Sequence, residues 1–166
     1  MNLHIVPDSK FINTFSANLR ELGILSENKL IVASKKELKY VERTLPHAPL
    51  YSARFKSICG DTSQYEAVYI HLFSPLMYRW VARNSFRQLN WLVWGADLYN
   101  LPGNKTDFYD AITKQQYSSR GKPVSEWLYL LKVWMTNSRY KDEAYAKIDN
   151  MLTWMTTEYA FAKSNI

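Results

Sequence analysis

A chain of 166 residues is the size of one domain and buries about two-thirds of its unfolded surface on folding, so it needs no covalent staple. The single cysteine excludes an internal disulfide framework, and the longest apolar runs, 67–73 and 91–94, fall far short of the roughly 18 residues of a membrane span. The formal charge of +6, from 21 Lys and Arg against 15 Asp and Glu, points to an anionic partner, while the dispersal of the basic residues weighs against nucleic acid. Pro7-Asp8 interrupts the apolar start, so no signal peptide is read and a cytoplasmic setting is expected.

Leu3-His4-Ile5-Val6 reads as a strand, and Pro7-Asp8-Ser9 opens a helix with Phe11, Ile12, Phe15, Leu19 and Leu22 at helical spacing until Gly23 closes it. No glycine-rich phosphate fingerprint accompanies that turn. Residues 28–33 form a second strand, and the charged segment 34–43 is expected as one short helix. Residues 44–50, with Pro46 and Pro49, read as a loop that exposes His47. Residues 67–73 are a near-continuous apolar run, as in a central parallel strand covered on both faces.

Ser74-Pro75 then caps a helix through Asn84, with Leu76, Trp80 and Val81 toward the sheet. Arg79 and Arg83 fall on another face at i, i+4 spacing, which is either solvated or anion-binding. Residues 90–94 are the next parallel strand, expected beside 67–73. Beyond Leu101-Pro102-Gly103-Asn104 the pattern is helical over 106–117, 124–135 and 141–150, and Trp127, Leu128, Leu131 and Trp134 make a face suited to core or to a membrane surface. A short strand at 151–155 and a last helix follow. Alternating strands and helices predict an α/β fold, a Rossmann-like parallel sheet with helices on both faces.

The chemistry concentrates at 90–99. Trp91 to Trp94 is a strand-forming run, Gly95-Ala96 gives the backbone room to turn, and Asp97 then presents a carboxylate, as a pocket group or as the N-cap of the next helix. Ligands of open α/β sheets gather outside the carboxyl ends of strands. His4 and His71, each on a predicted strand, are able to meet there. No Cys/His cluster with metal spacing, Gly-x-Ser-x-Gly elbow or Walker loop is present.

The string Trp94-Gly95-Ala96-Asp97-Leu98-Tyr99, after an apolar strand and downstream of His71, Ser74-Pro75 and an apolar helix, resembles the TDP-N-acetylfucosamine:lipid II N-acetylfucosaminyltransferase (4-alpha-L-fucosyltransferase) family. That resemblance implies the N-terminal half of a GT-B glycosyltransferase, with residues 1–150 as a Rossmann-like acceptor-binding domain and 151–166 as a hinge to a C-terminal donor domain outside this sequence. It implies Asp97 and His71 as catalytic residues and Trp94, Gly95, Tyr99 and Ser74 as substrate-binding ones. The donor is a TDP-sugar used as substrate, so no cofactor and no metal is expected. The acceptor is a polyprenyl-diphosphate-linked glycan of cell-surface polysaccharide synthesis, met at the anionic inner face of the bacterial membrane. The alternative expectation is a non-catalytic α/β module that binds an anionic ligand.

Overall fold

The computed structural model describes residues 1–35, 37–94 and 138–153, together with 128, 131 and 135. Its elements are β1 (Asn2–Val6), α1 (Phe11–Glu21), β2 (Asn28–Ala33), β3 (His47–Ala48), α2 (Ala53–Cys59), β4 (Val68–His71), α3 (Tyr78–Arg83), β5 (Leu89–Leu92), α4 (Lys141–Ala146) and β6 (Asn150–Leu152). The strands form one parallel sheet in the order β3-β2-β1-β4-β5-β6. This is the doubly wound order of a Rossmann-like fold.

The two faces of the sheet are built from alternate residues of the same strands. Leu3, Ile5, Ile31, Val68, Ile70, Leu89 and Trp91 point to one side and pack with Phe55 and Cys59 of α2, Tyr78, Trp80 and Val81 of α3, and Ala144 of α4. Val6, Leu30 and Val32 point to the other side and pack with Ile12 and Leu19 of α1. Helices therefore cover both faces. Side chains such as Ile5, Ile31, Phe55 and Trp91 are at most 1% exposed, and each large apolar group so buried contributes about 1.5–3 kcal/mol. The chain steps from β1 to β2 in one direction and from β3 to β4 in the other, which carries α1 and α2 to opposite faces if every crossover is right-handed.

Local chemistry sets the ends of α1. Gly23 takes a left-handed φ of 72°, and its N–H and that of Ile24 return to the Arg20 and Leu19 carbonyls, so the helix stops there. Phe11 and Leu22, expected on the buried stripe, are exposed, and Ile12 and Leu19 carry the packing.

Several sequence expectations need correction. The described part of 34–43 is not helical, because both Asp8 carboxylate oxygens are engaged by N–H groups of this segment, from Lys39 at 2.8 Å and from Tyr40 and Val41 at 3.0 Å. Those donors are lost to a helix, and Leu38 and Val41 are buried beside α1 instead. The expected loop 44–50 contains β3, which makes His47 half-buried at the sheet edge rather than exposed. Helix α2 was not foreseen; Ser52 caps it by accepting the Phe55 N–H at 3.0 Å.

The helix expected from Ser74-Pro75 begins only at Tyr78. The Ser74 carbonyl accepts the Met77 N–H at 2.8 Å in a preceding turn, Met77 is the cap residue without a side-chain bond, and Leu76 is exposed. Helix α4 ends at Ala146, short of the expected 150, and the strand expected at 151–155 is β6, hydrogen-bonded to β5. Strands β4 and β5 are neighbours in register Val68↔Leu89 to His71↔Leu92, as expected.

Candidate active site at the switch between β1 and β4

Strand β1 sits where the winding reverses, with β2 on one side and β4 on the other. The carboxyl ends of β1 and β4 are thus the place where such a sheet opens a crevice. On the α1 face the register puts His4 beside Tyr69, and His71 follows two residues later on the same face. The His4 and Tyr69 rings stack at 4.7 Å with planes 7° apart. His4 and His71 are 6% and 2% exposed, and His4 Nδ1 lies 3.0 Å from His71 Nε2.

The proton positions follow from a chain of obligatory partners. The Ile24 carbonyl can only accept, so the Asn28 amide nitrogen, 2.8 Å away, donates to it. Asn28 Oδ1 then faces His4 Nε2 at 3.0 Å and accepts its proton. A neutral His4 is left with a bare Nδ1, which accepts the proton of His71 Nε2. His71 Nδ1 is the bare end of the relay. It is buried and has no hydrogen-bond partner among the described residues, an arrangement that costs about 1–3 kcal/mol and calls for a functional account.

Burial keeps both imidazoles neutral. Desolvation lowers His4 from the ordinary range against an opposing contribution from its Asn28 bond. Desolvation, and then the charge of His4, lower His71 to about 3. At neutral pH His71 is thus a hydrogen-bond acceptor rather than a cation.

An aromatic collar surrounds that acceptor. The Phe15 ring of α1 stands edge-on to His71 at 5.0 Å, Trp94 past the end of β5 does so at 5.8 Å, and Phe11 meets Trp94 at 5.8 Å. The chain turns sharply just after His71, where Leu72 has a φ of 68°. A non-glycine residue in this left-handed region costs about 1–2 kcal/mol and sits typically where a site needs the backbone re-aimed. Here it sends Phe73 into the core of the opposite face, against Trp91 and Tyr145.

Of the residues expected from the sequence, the structure brings His71 and Trp94 together, and His4 meets His71 as the strand positions allowed. Ser74 follows β4 and engages its carbonyl in the turn to Met77. His47 lies in β3, separated from β4 by two strands, and is not part of the site. Gly95, Asp97 and Tyr99 lie outside the described residues. Phe11, Phe15, Asn28 and Tyr69 were not expected; the i, i+4 pair Phe11 and Phe15 carried a signal, but it reads equally as core. Among the described residues, no group of three or more His, Cys, Asp or Glu is placed to hold a metal ion. No protein-family model, curated protein or solved structure gives a match to this chain.

Proposed function

We propose that the chain forms the acceptor side of a glycosyltransferase that moves N-acetylfucosamine from a TDP-sugar to a polyprenyl-diphosphate-linked glycan in cell-surface polysaccharide synthesis. The observation that carries the reading is the bare, buried His71 Nδ1 at the carboxyl end of β4, walled by Trp94, the first residue of the motif that resembles this enzyme family. An acceptor sugar hydroxyl is the donor that this nitrogen lacks. Aromatic faces such as Trp94 and Phe15 suit the apolar face of a sugar ring.

In the reaction the acceptor oxygen bonds to the anomeric carbon as the bond to the diphosphate breaks, and TDP departs with the electron pair. His71 orients the hydroxyl by accepting its hydrogen bond. With its basicity lowered by burial it is poorly suited to hold the released proton, and Asp97 is assigned either that task or a share of the orientation.

The same reading puts the protein on the inner membrane face as a peripheral protein. No helix among the described residues is long and apolar enough to cross a membrane. Leu128, Leu131 and Met135 are helical and 57%, 38% and 65% exposed, an i, i+3, i+7 stripe that supports contact with an apolar surface.

The test is binding of a short-chain polyprenyl-diphosphate disaccharide, read by tryptophan fluorescence. His71→Gln and Trp94→Ala should each weaken it about 10-fold, the loss of one well-placed contact of about 1.4 kcal/mol. Equal affinity in both variants and the parent would overturn the assignment.

A further inference from the structure

On the sheet face opposite His4 and His71, α2 and α3 enclose a groove of about 1060 Å³ that the site above does not use. Its floor includes Phe55 and Trp80, and its walls carry Lys56, Arg79 and Arg83. Arg79 and Arg83 are one turn apart on α3, so their side chains leave the helix on one face, about 6 Å apart at Cβ.

Aromatic rings hold these guanidinium groups. Arg79 Cζ lies 5.9 Å from the centre of the Tyr51 ring, and Arg83 Cζ lies 5.5 Å from that of Tyr140. Arg139 Cζ lies 4.8 Å from the same Tyr140 ring, and Arg83 and Arg139 each donate to the Tyr140 hydroxyl at 3.0 Å. Two like charges thus converge on one phenol oxygen. Among the described residues no carboxylate forms an ion pair with them: the ion pairs there join Met1 to Glu66 and Arg43 to Glu37, away from the groove. Asp61 at the rim already accepts from the Ser63 N–H at 3.0 Å and the Ser63 hydroxyl at 2.8 Å.

A cluster of cations without an ion-pair partner among the described residues, held beside aromatic rings, meets the requirements of a multivalent anion. We propose that this groove binds a small phosphate-bearing ligand, a phosphate monoester or diphosphate, through Arg79 and Arg83, with Lys56 and Arg139 adding charge. The volume leaves room for an organic remainder beside Tyr51, Ser57 and Ser63. The inference does not rest on the transferase reading, since it uses other residues on the other face.

The test titrates the full chain at low salt with inorganic pyrophosphate by calorimetry, and in a second arm sediments it with phosphatidylglycerol or phosphatidylcholine vesicles. Pyrophosphate should bind, and Arg79→Gln and Arg83→Gln should each weaken it about 10-fold or more, as expected for a lost charge-assisted bond. Arg83→Lys, which keeps the charge without the planar fork, should fall between, and Arg20→Gln on α1 should change nothing. Circular dichroism shows whether each variant folds.

Pyrophosphate binding without vesicle binding supports a soluble phosphate ligand. Vesicle binding that needs phosphatidylglycerol, is competed by pyrophosphate and is lost in the same variants supports a lipid headgroup. Undiminished pyrophosphate affinity in the folded Arg79→Gln and Arg83→Gln variants, or no binding in either arm, would overturn the proposal. So would a single-stranded RNA that displaces pyrophosphate and binds more tightly than it.

Discussion

His4 Nδ1 and His71 Nε2 lie 3.0 Å apart across neighbouring parallel strands, and the bond between them decides which nitrogen of His71 is left bare. Asn28 sets the direction of that bond through its own contact with His4 Nε2. Asn28→Ala should therefore cost about 1–3 kcal/mol of stability, since it leaves the buried His4 Nε2–H without a partner, while the Ile24 carbonyl keeps the Glu27 N–H. It should also release the tautomers. Nitrogen–proton correlation spectra of the parent should show both rings protonated at Nε2, and those of the variant a mixture at His4; an unchanged spectrum would mean that Asn28 does not direct the relay.

The buried pair makes stability depend on pH. Both folded imidazoles titrate below the ordinary histidine range, His71 at about 3, so below about pH 6.5 the unfolded chain binds protons that the folded chain refuses. Stability should be full above that pH and fall as the medium is acidified toward 3, by up to about 1.4 kcal/mol per pH unit for His71, with His4 acting in the same direction. Urea unfolding at pH 7.5, 6 and 5 measures the slope, and His71→Phe should make it shallower. A parent protein equally stable at all three would contradict the buried, neutral assignment.

Much of the sheet is legible in the sequence because β1, β2 and β4 are buried on both faces and read as apolar runs. Helix α2 is not, since only Phe55 and Cys59 of its seven residues are buried, too few for a period to emerge. The segment 34–43 misleads because its alternative partner, Asp8, lies some 30 residues upstream and is brought to it by the fold. The site divides in the same way. His71 and Trp94 stand out beside the motif, whereas the role of Asn28 exists only through the register that pairs Asn2 with Asn28 and sets His4 beside Tyr69.

The two tryptophans of the motif strand serve different ends. Trp91 is 1% exposed and packs on Phe73 and Tyr145, so Trp91→Ala should cost about 3–5 kcal/mol. Trp94 is half-buried and meets Phe11 and His71 edge-on, so Trp94→Ala should cost about 1–2 kcal/mol while weakening acceptor binding. Unfolding and binding measured on the same two variants check this, and a reversed order of stability losses would refute the division.

Asp8 ties the segment after β2 to the loop that enters α1. Burial pushes its carboxyl up, but the N–H bonds from Lys39, Tyr40 and Val41 outweigh that and hold it below the usual range. Asp8→Ala should lose about 1–2 kcal/mol and speed hydrogen exchange at residues 39–41, with Asp8→Asn intermediate. The parent's contribution is present above the carboxylate range and lost as pH falls through it. Unaltered exchange at 39–41 in Asp8→Ala would show that the segment holds itself.

The most direct measurement is the nitrogen resonance of His71 Nδ1 in the labelled full chain, followed as a short-chain polyprenyl-diphosphate disaccharide is added. The account predicts an unprotonated nitrogen in the free protein whose signal moves on saturation in the sense of an accepted hydrogen bond, while Nε2 keeps its proton and its bond to His4. A signal that stays in place while the acceptor saturates the protein would contradict it, for the acceptor would then bind without supplying the donor that His71 lacks.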